Sequence, residues 1–270
     1  MDEMLRVDDL RVRFGGTQVL HGVGFALAAG DRLGVIGESG SGKSVMSTAI
    51  TALLPPTARV SGSVRFRGRE LVGAADRAQP RGAGIAMIAQ DPLAALDPLM
   101  RLGDQLALPI ARHQHLRGRR LRDALHAALA DVAIDEPERI ARSFPHEVSG
   151  GQRQRIAIAM ALACRPDVLI ADEPTTALDV TVQAQVLDLL DALVRRRGTT
   201  LVFVSHDLPV VARMARRVLV LQSGRVVDDT EIGHLLEGSG SPYARGLVKH
   251  ARGLDDALAR AVAGSDGDRR

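Results

Sequence analysis

The run Gly-Glu-Ser-Gly-Ser-Gly-Lys-Ser at 37–44 constrains this chain more than any other feature, as an unbroken G-x-x-x-x-G-K-[S/T] pattern. Leu33, Val35 and Ile36 place an apolar strand before it, and a helix-forming stretch follows that must stop at Pro55-Pro56. Strand, loop and helix in that order make a cradle for anions. Gly37, Gly40 and Gly42, with Glu38, Ser39 and Ser41 between them, let the backbone turn tightly and aim its N–H groups at phosphate oxygens. The helix that starts near Gly42, with Val45 in its first turn, adds the positive end of its dipole. Lys43 is expected to reach the β- and γ-phosphates of ATP, and the Ser44 hydroxyl to ligate Mg²⁺.

The rest of the pattern is α/β. Short apolar runs are expected as strands at Leu5–Phe14, Gly22–Ala28, Arg32–Ile36, Ser63–Arg67, Ile85–Ala89, Val168–Ala171, Leu201–Ser205 and Val218–Leu221. The first four include alternation of the antiparallel kind, whereas Val168–Ala171 and Leu201–Ser205 are continuous apolar runs of the buried parallel kind. Between about Asp91 and Cys164 the strand signals give way to Ala-, Leu- and Arg-rich sequence, which predicts a helical subdomain inserted into the core. The α/β domain is expected over residues 1–236. Beyond it lies a short helical appendage over 237–270, set off by Gly238-Ser239-Gly240-Ser241 and without order over Gly264–Arg270.

Composition removes several classes of function. No apolar run approaches the roughly 18–20 residues that a bilayer-crossing helix needs, and the stretch Met1–Arg11 lacks the apolar segment of a secretory signal. Cys164 is the only cysteine, so neither an intrachain disulfide nor an all-cysteine metal site can form. The 35 basic and 32 acidic residues nearly balance, and Phe, Tyr and Trp make up only 2% of the chain, which argues against base stacking and a nucleic-acid partner. One basic cluster, Arg112, His113, His115, Arg117, Arg119, Arg120 and Arg122, reads either as a solvated face or as a contact for lipid headgroups or a protein partner.

A second chemical motif is Val-Leu-Ile-Ala-Asp-Glu-Pro at 168–174. Its buried strand delivers Asp172 to the C-terminal strand end, where open α/β sheets bind ligands, as a holder of Mg²⁺. Glu173 follows, placed to act as general base on water. A third motif, Val-Ser-Gly-Gly-Gln-Arg-Gln-Arg at 148–155, puts Ser149, Gly150, Gly151 and Gln152 at the start of a helix, a further backbone cradle suited to a γ-phosphate.

This third motif closely resembles the signature of ABC ATPases, and with it the resemblance extends over essentially the whole chain. It implies a P-loop NTPase fold, an α/β core with an antiparallel part and an inserted helical subdomain. In that family Gln90 would be the glutamine that senses Mg²⁺ and attacking water, and His206 in Val-Ser-His-Asp the switch histidine on the γ-phosphate. Ala177-Leu178-Asp179 would form the loop lying across a dimer interface. Phe14 stands where the family places an aromatic on adenine, although its alternation with Val12 also resembles that of a core strand residue. Val148 replaces the usual leucine of the signature, and Ala89 the frequent aromatic before Gln90.

The segments Gln90–Pro98, Phe144–Gly151 and Ala163–Gln185, with Ser241-Pro242-Tyr243 near the end, resemble ATPases of dipeptide, oligopeptide and nickel importers. That resemblance implies integral membrane permease subunits as partners and an extracytoplasmic solute-binding protein acting indirectly. It also implies a second ATPase subunit, in a heterodimer or a homodimer, and a peripheral position on the cytoplasmic face of the membrane. An exporter subunit or an ABC ATPase of a nucleic-acid process remains the alternative. The iron–sulfur cysteines of many such C-termini are absent from this sequence.

Overall fold

Two long strands, β1 (Glu3–Phe14) and β2 (Thr17–Ala28), pair antiparallel and are followed by β3 (Arg32–Ile36), the phosphate loop and α1 (Lys43–Ile50). The computed structural model describes residues 3–75, 79–176 and 178–251. Strands β4 (Ala58–Phe66) and β5 (Arg69–Glu70) complete a four-stranded antiparallel sheet in the order β2-β1-β4-β5. After β6 (Ile85–Ile88) come α2 (Pro92–Ala95), α3 (Leu102–Gln114), α4 (Gly118–Asp131), α5 (Pro137–Arg142), a single 3-10 turn and α6 (Gly150–Ala163). The chain then alternates through β7 (Val168–Asp172), α7 (Val180–Arg197), β8 (Thr200–Val204), α8 (Leu208–Met214) and β9 (Arg217–Gln222). Strand β10 (Arg225–Glu231), α9 (Ile232–Leu236) and a helix over 242–251, α10, finish the described residues.

The second sheet has the order β10-β9-β3-β8-β7-β6, parallel except for β10. Its continuous apolar runs are explained by the pleat, because successive side chains leave on opposite faces and both faces are covered. Leu169, Ala171, Leu201, Phe203, Val218 and Val220 join one core with α6, α7, α8 and the helical subdomain. Val168, Ile170, Val202, Val204, Leu219 and Leu221 join a second core with α1 and the antiparallel sheet. Every residue of β7 and β8 is buried. At about 1.5–3 kcal/mol for each fully buried large apolar side chain, these strands anchor the domain.

The segment between Asp91 and Cys164 is helical throughout its regular elements, as its composition predicts. Strand β3, grouped in the sequence reading with the early alternating runs, lies instead at the middle of the parallel sheet, between β8 and β9. Two strands went unforeseen, β5 and β10. Both are edges without an alternating run: β5 is two exposed residues, and in β10 only Val226 and Val227 are apolar, each packed on a different core; Ser223-Gly224, with φ of 46° and 73°, forms the tight turn into β10. Past Gly238-Ser239-Gly240-Ser241, α10 buries Ala244 and Val248 in the same core as α7 and α8. The expected disorder of Gly264–Arg270 lies outside the described residues, as does Ala177.

Helix α8 packs on β3 at Gly34, where a Cβ would stand 2.3 Å from Val211 Cγ1 and 3.4 Å from Ala215 Cβ. Gly34→Ala should therefore cost about 1–3 kcal/mol through overpacking. Pairing it with Val211→Ala should recover part of the loss, read as the urea midpoint of each single variant and of the double.

Candidate active site

The parallel order of the sheet gathers one end of each central strand. The C-termini of β3, β8, β7 and β6 lie side by side and lead, respectively, to Gly37, Ser205-His206, Glu173 and Gln90. Backbone bonds lock these exits together: Ser205 N–H donates to Val35 O at 3.1 Å, and Glu173 N–H to Val204 O at 2.9 Å.

In the phosphate loop, a Cβ on Gly37 would fall 2.2 Å from Leu221 O and 2.7 Å from Ser41 Oγ. Gly42 stands at φ 102° with Leu20 Cδ2 2.7 Å from where its Cβ would be. No other residue fits either place. Lys43, whose side chain is 5% exposed, donates through Nζ to Gly37 O at 2.8 Å and Glu38 O at 3.0 Å. Burial lowers the pKa of its ammonium, and the nearby carboxylates of Glu173 and Asp172 oppose that effect.

Asp172 is buried to 2% exposure, and burial raises its pKa against a hydrogen bond from Ser44 and the charge of Lys43; Glu173 adds to the rise. Its Oδ1 has no hydrogen-bond partner. Glu173 occupies the left-handed region, φ 47°, unusual for a residue with a side chain and the kind of strain that functional sites retain. Its carboxylate accepts from Thr176 Oγ1 at 2.9 Å and Gln90 Nε2 at 3.2 Å. His206 Nδ1 lies 3.3 Å and Lys43 Nζ 4.0 Å from Glu173 Oε1. An ionised carboxylate is an acceptor only, and these neighbours supply the donors. What this arrangement can do is hold a phosphate chain on the loop and take a proton from water beside it.

The residues singled out in the sequence fall into two groups. Gly37, Glu38, Ser39, Gly40, Gly42, Lys43, Ser44, Val45, Gln90, Glu173 and His206 line one cleft of about 690 Å³, with Ser41 buried under the loop and Asp172 at the strand end behind it. Ser149, Gly150, Gly151 and Gln152 are not on that cleft. They start α6, where Ser149 Oγ accepts from Gln152 N–H and the Gln152 side chain accepts from Ser149 N–H. Asp179 caps α7 by accepting from Val182 N–H at 3.0 Å. The α6 start and the α7 start meet, since a Cβ on Gly151 would stand 2.7 Å from Val182 Cγ1 and one on Gly150 3.7 Å from Leu178 Cδ2. Phe14 ends β1 and packs, partly buried, against the core beneath the antiparallel sheet; it does not line the cleft.

Val19, Leu247 and His250 also line the cleft and were not foreseen. Val19 and Leu247 look like ordinary apolar positions in the sequence. Thr176 could have been noticed, because a hydroxyl three residues after Glu173 can reach back to it. Among the described residues no helix is long and apolar enough to cross a membrane.

Residues 20–176 match the family model described as ABC transporter. The chain belongs to the ABC transporter family. Within it, the chain is 45% identical over 264 residues to the oligopeptide transport ATP-binding protein OppD of Mycobacterium tuberculosis, covering 95% of this chain and 43% of that protein. It is 42% identical over 263 residues to the dipeptide transport ATP-binding protein DppD of Bacillus subtilis, covering 94% of this chain and 78% of the relative. The chain thus spans less than half the length of the mycobacterial relative. Among solved structures, the dimeric post-hydrolysis state of the ATP-binding cassette MJ0796 bound to ADP and Pi is similar. The TM-score is 0.75 at 29% identity, over 85% of this chain and 99% of that one.

The donor set of this ABC transporter chain fits Mg²⁺. Asp172 Oδ1 is buried without a partner, and the Ser44 hydroxyl is its neighbour.

The raised pKa of Asp172 has a sign. The folded state binds this proton more tightly than the unfolded one, so stability falls as pH rises from about 3.9, the unfolded value, through the raised folded value, and the loss persists above it. Asp172→Asn should accordingly raise the thermal midpoint in metal-free buffer at neutral pH. That advantage should vanish in acid below the unfolded value, a profile that calorimetric melts across pH would record.

Proposed function

We propose that this chain is the ATP-binding and ATP-hydrolysing subunit of a membrane importer for peptides or related small solutes, or nickel. The observation that carries the reading is the Glu173 carboxylate held among Lys43, Gln90, Thr176 and His206 at the C-terminal ends of the parallel strands. The names of the relatives, oligopeptide and dipeptide transport ATP-binding proteins, support the substrate class.

In this reading ATP lays its phosphates along the N–H groups from Gly40 to Val45, at the head of α1. Lys43 keeps two of its three N–H groups on the Gly37 and Glu38 carbonyls and turns the third toward the β- and γ-phosphates. Ser44, Gln90 and Asp172 hold Mg²⁺, which when bound neutralises charge on those phosphates. Glu173 orients water and accepts its proton, while His206 steadies the γ-phosphate. Phe14 does not line the phosphate cleft, so its ring would meet adenine only where the base extends beyond that cleft. Ser149, Gly150, Gly151 and Gln152 complete the site of a second subunit, with Asp179 in the loop between them. Their distance from their own cleft and the dimeric form of the similar cassette support this arrangement. The second subunit is a related ATPase or another copy of this chain. Opening and closing of the pair drives permease subunits docked near Gln90 and the helical subdomain, on the cytoplasmic face of the membrane. A solute-binding protein delivers the cargo outside, and nucleic acid has no part.

Glu173→Gln separates binding from chemistry. It keeps shape and size but removes the base, so ATP affinity should hold while turnover falls by about 10²–10⁴-fold. Calorimetry with Mg-ATP beside a phosphate-release assay measures both. Turnover at the native rate would remove Glu173 from the mechanism, and Lys43→Ala with undiminished nucleotide affinity would remove the phosphate loop.

A further inference from the structure

Helix α10 reaches the phosphate loop through a hydrogen bond. Glu38 N–H donates to the Tyr243 hydroxyl at 3.0 Å, joining residues 205 positions apart. The same peptide unit carries the Gly37 carbonyl, which accepts from Lys43 Nζ at 2.8 Å. One peptide plane is therefore held at both poles, its carbonyl by the buried lysine and its N–H by the tyrosine. A glycine begins that plane and leaves it freer to rotate than a residue with a side chain, so the tyrosine contact adds to the hold of Lys43.

The tyrosine is itself rigidly held. Asp228 on β10 accepts from Ser241 N–H through both oxygens at 3.0 Å, and its Oδ1 lies 3.0 Å from where a Gly240 Cβ would be. Ser241 Oγ accepts from Ala244 N–H at 3.1 Å and caps α10. Ala244 and Val248 are buried in the core, and the Tyr243 ring packs against it. Leu247 and His250, on the same helix, face the cleft.

We propose that Tyr243 is a positioning residue of the nucleotide site. Its hydroxyl fixes the Gly37–Glu38 peptide so that the carbonyl faces Lys43 and the loop keeps the shape that phosphates fit. Residues 240–251 thereby belong to the nucleotide site, and ATP affinity is set partly by how α10 is anchored at Asp228. The role rests on the ATP-hydrolysing reading above.

Tyr243→Phe removes one hydroxyl and keeps the packed ring. KM and Kd for Mg-ATP should rise about 3–10-fold, the worth of one such hydrogen bond, with kcat and the thermal midpoint unchanged. Ser241→Ala, which loosens the helix start, should raise KM in the same direction, and combining the two should add less than their separate effects because both act through one hydroxyl. A Tyr243→Phe protein with native KM and Kd overturns the proposal, as does one that loses kcat and thermal midpoint while KM stays. If Tyr243→Phe does not fold, native KM in Ser241→Ala overturns it, and raised KM with native kcat supports it. Absence of ATP binding by the unaltered chain, measured alongside, overturns the nucleotide reading itself and the role of Tyr243 with it.

Discussion

Strand β8 lies between β3 and β7 with all five of its residues buried, paired to one neighbour from Leu201 to Val204 and to the other from Thr200 to Val204. The site depends on this register. A slip of one residue would turn Phe203 from one core to the other and carry Ser205 and His206 away from the phosphate loop. Because both faces of the strand are covered, such a slip would bury the wrong volumes on two sides at once. The chemistry stands on loops, but their origins are set by the interior.

Electrostatics in the cleft works against stability. Lys43 and Asp172 are both buried, and burial disfavours the charge on each. Desolvation of this kind is tolerable only where partners face the charge. Lys43 has the carbonyls of Gly37 and Glu38, and Glu173 has donors around it, but one oxygen of Asp172 has none. A strained backbone at Glu173 sits beside that unpaired oxygen. One strained residue and one unpartnered buried oxygen thus stand side by side where ligand chemistry is proposed, and the surrounding sheet is what sustains them.

The helical subdomain serves another end. Its α6 begins at Ser149 beside the start of α7, away from the chain's own cleft. Arg155, further along α6, donates to Val132 O at 3.0 Å and to Gln185 Oε1 on α7 at 3.2 Å. Asp131 on α4 pairs with Arg196 and Arg197 on α7. These bonds bind the subdomain to the helix that follows Asp179, so a displacement at one is felt at the other. The basic cluster from Arg112 to Arg122 straddles the end of α3 and the start of α4, with its arginines exposed.

The sequence by itself determined the glycine-rich loop, the buried strands and the order of the candidate site residues along the chain. Each is written in local terms: glycine spacing, apolar runs, and an acid pair or a histidine at a strand end. Gly37–Ser44, Asp172-Glu173 and His206 were legible for that reason. Tertiary structure alone decided that β3 is central, that Val19, Leu247 and His250 share the cleft, and that Phe14 lies off it. It also decided the contact between Tyr243 and Glu38. Strand β5 escaped notice because two exposed residues carry no pattern, β10 because its only apolar residues are the adjacent Val226 and Val227, and Tyr243 because a hydrogen bond across 205 residues leaves no periodic mark on the chain. Local patterns record which face a residue must bury, whereas long-range polar contacts depend on where folded elements come to rest.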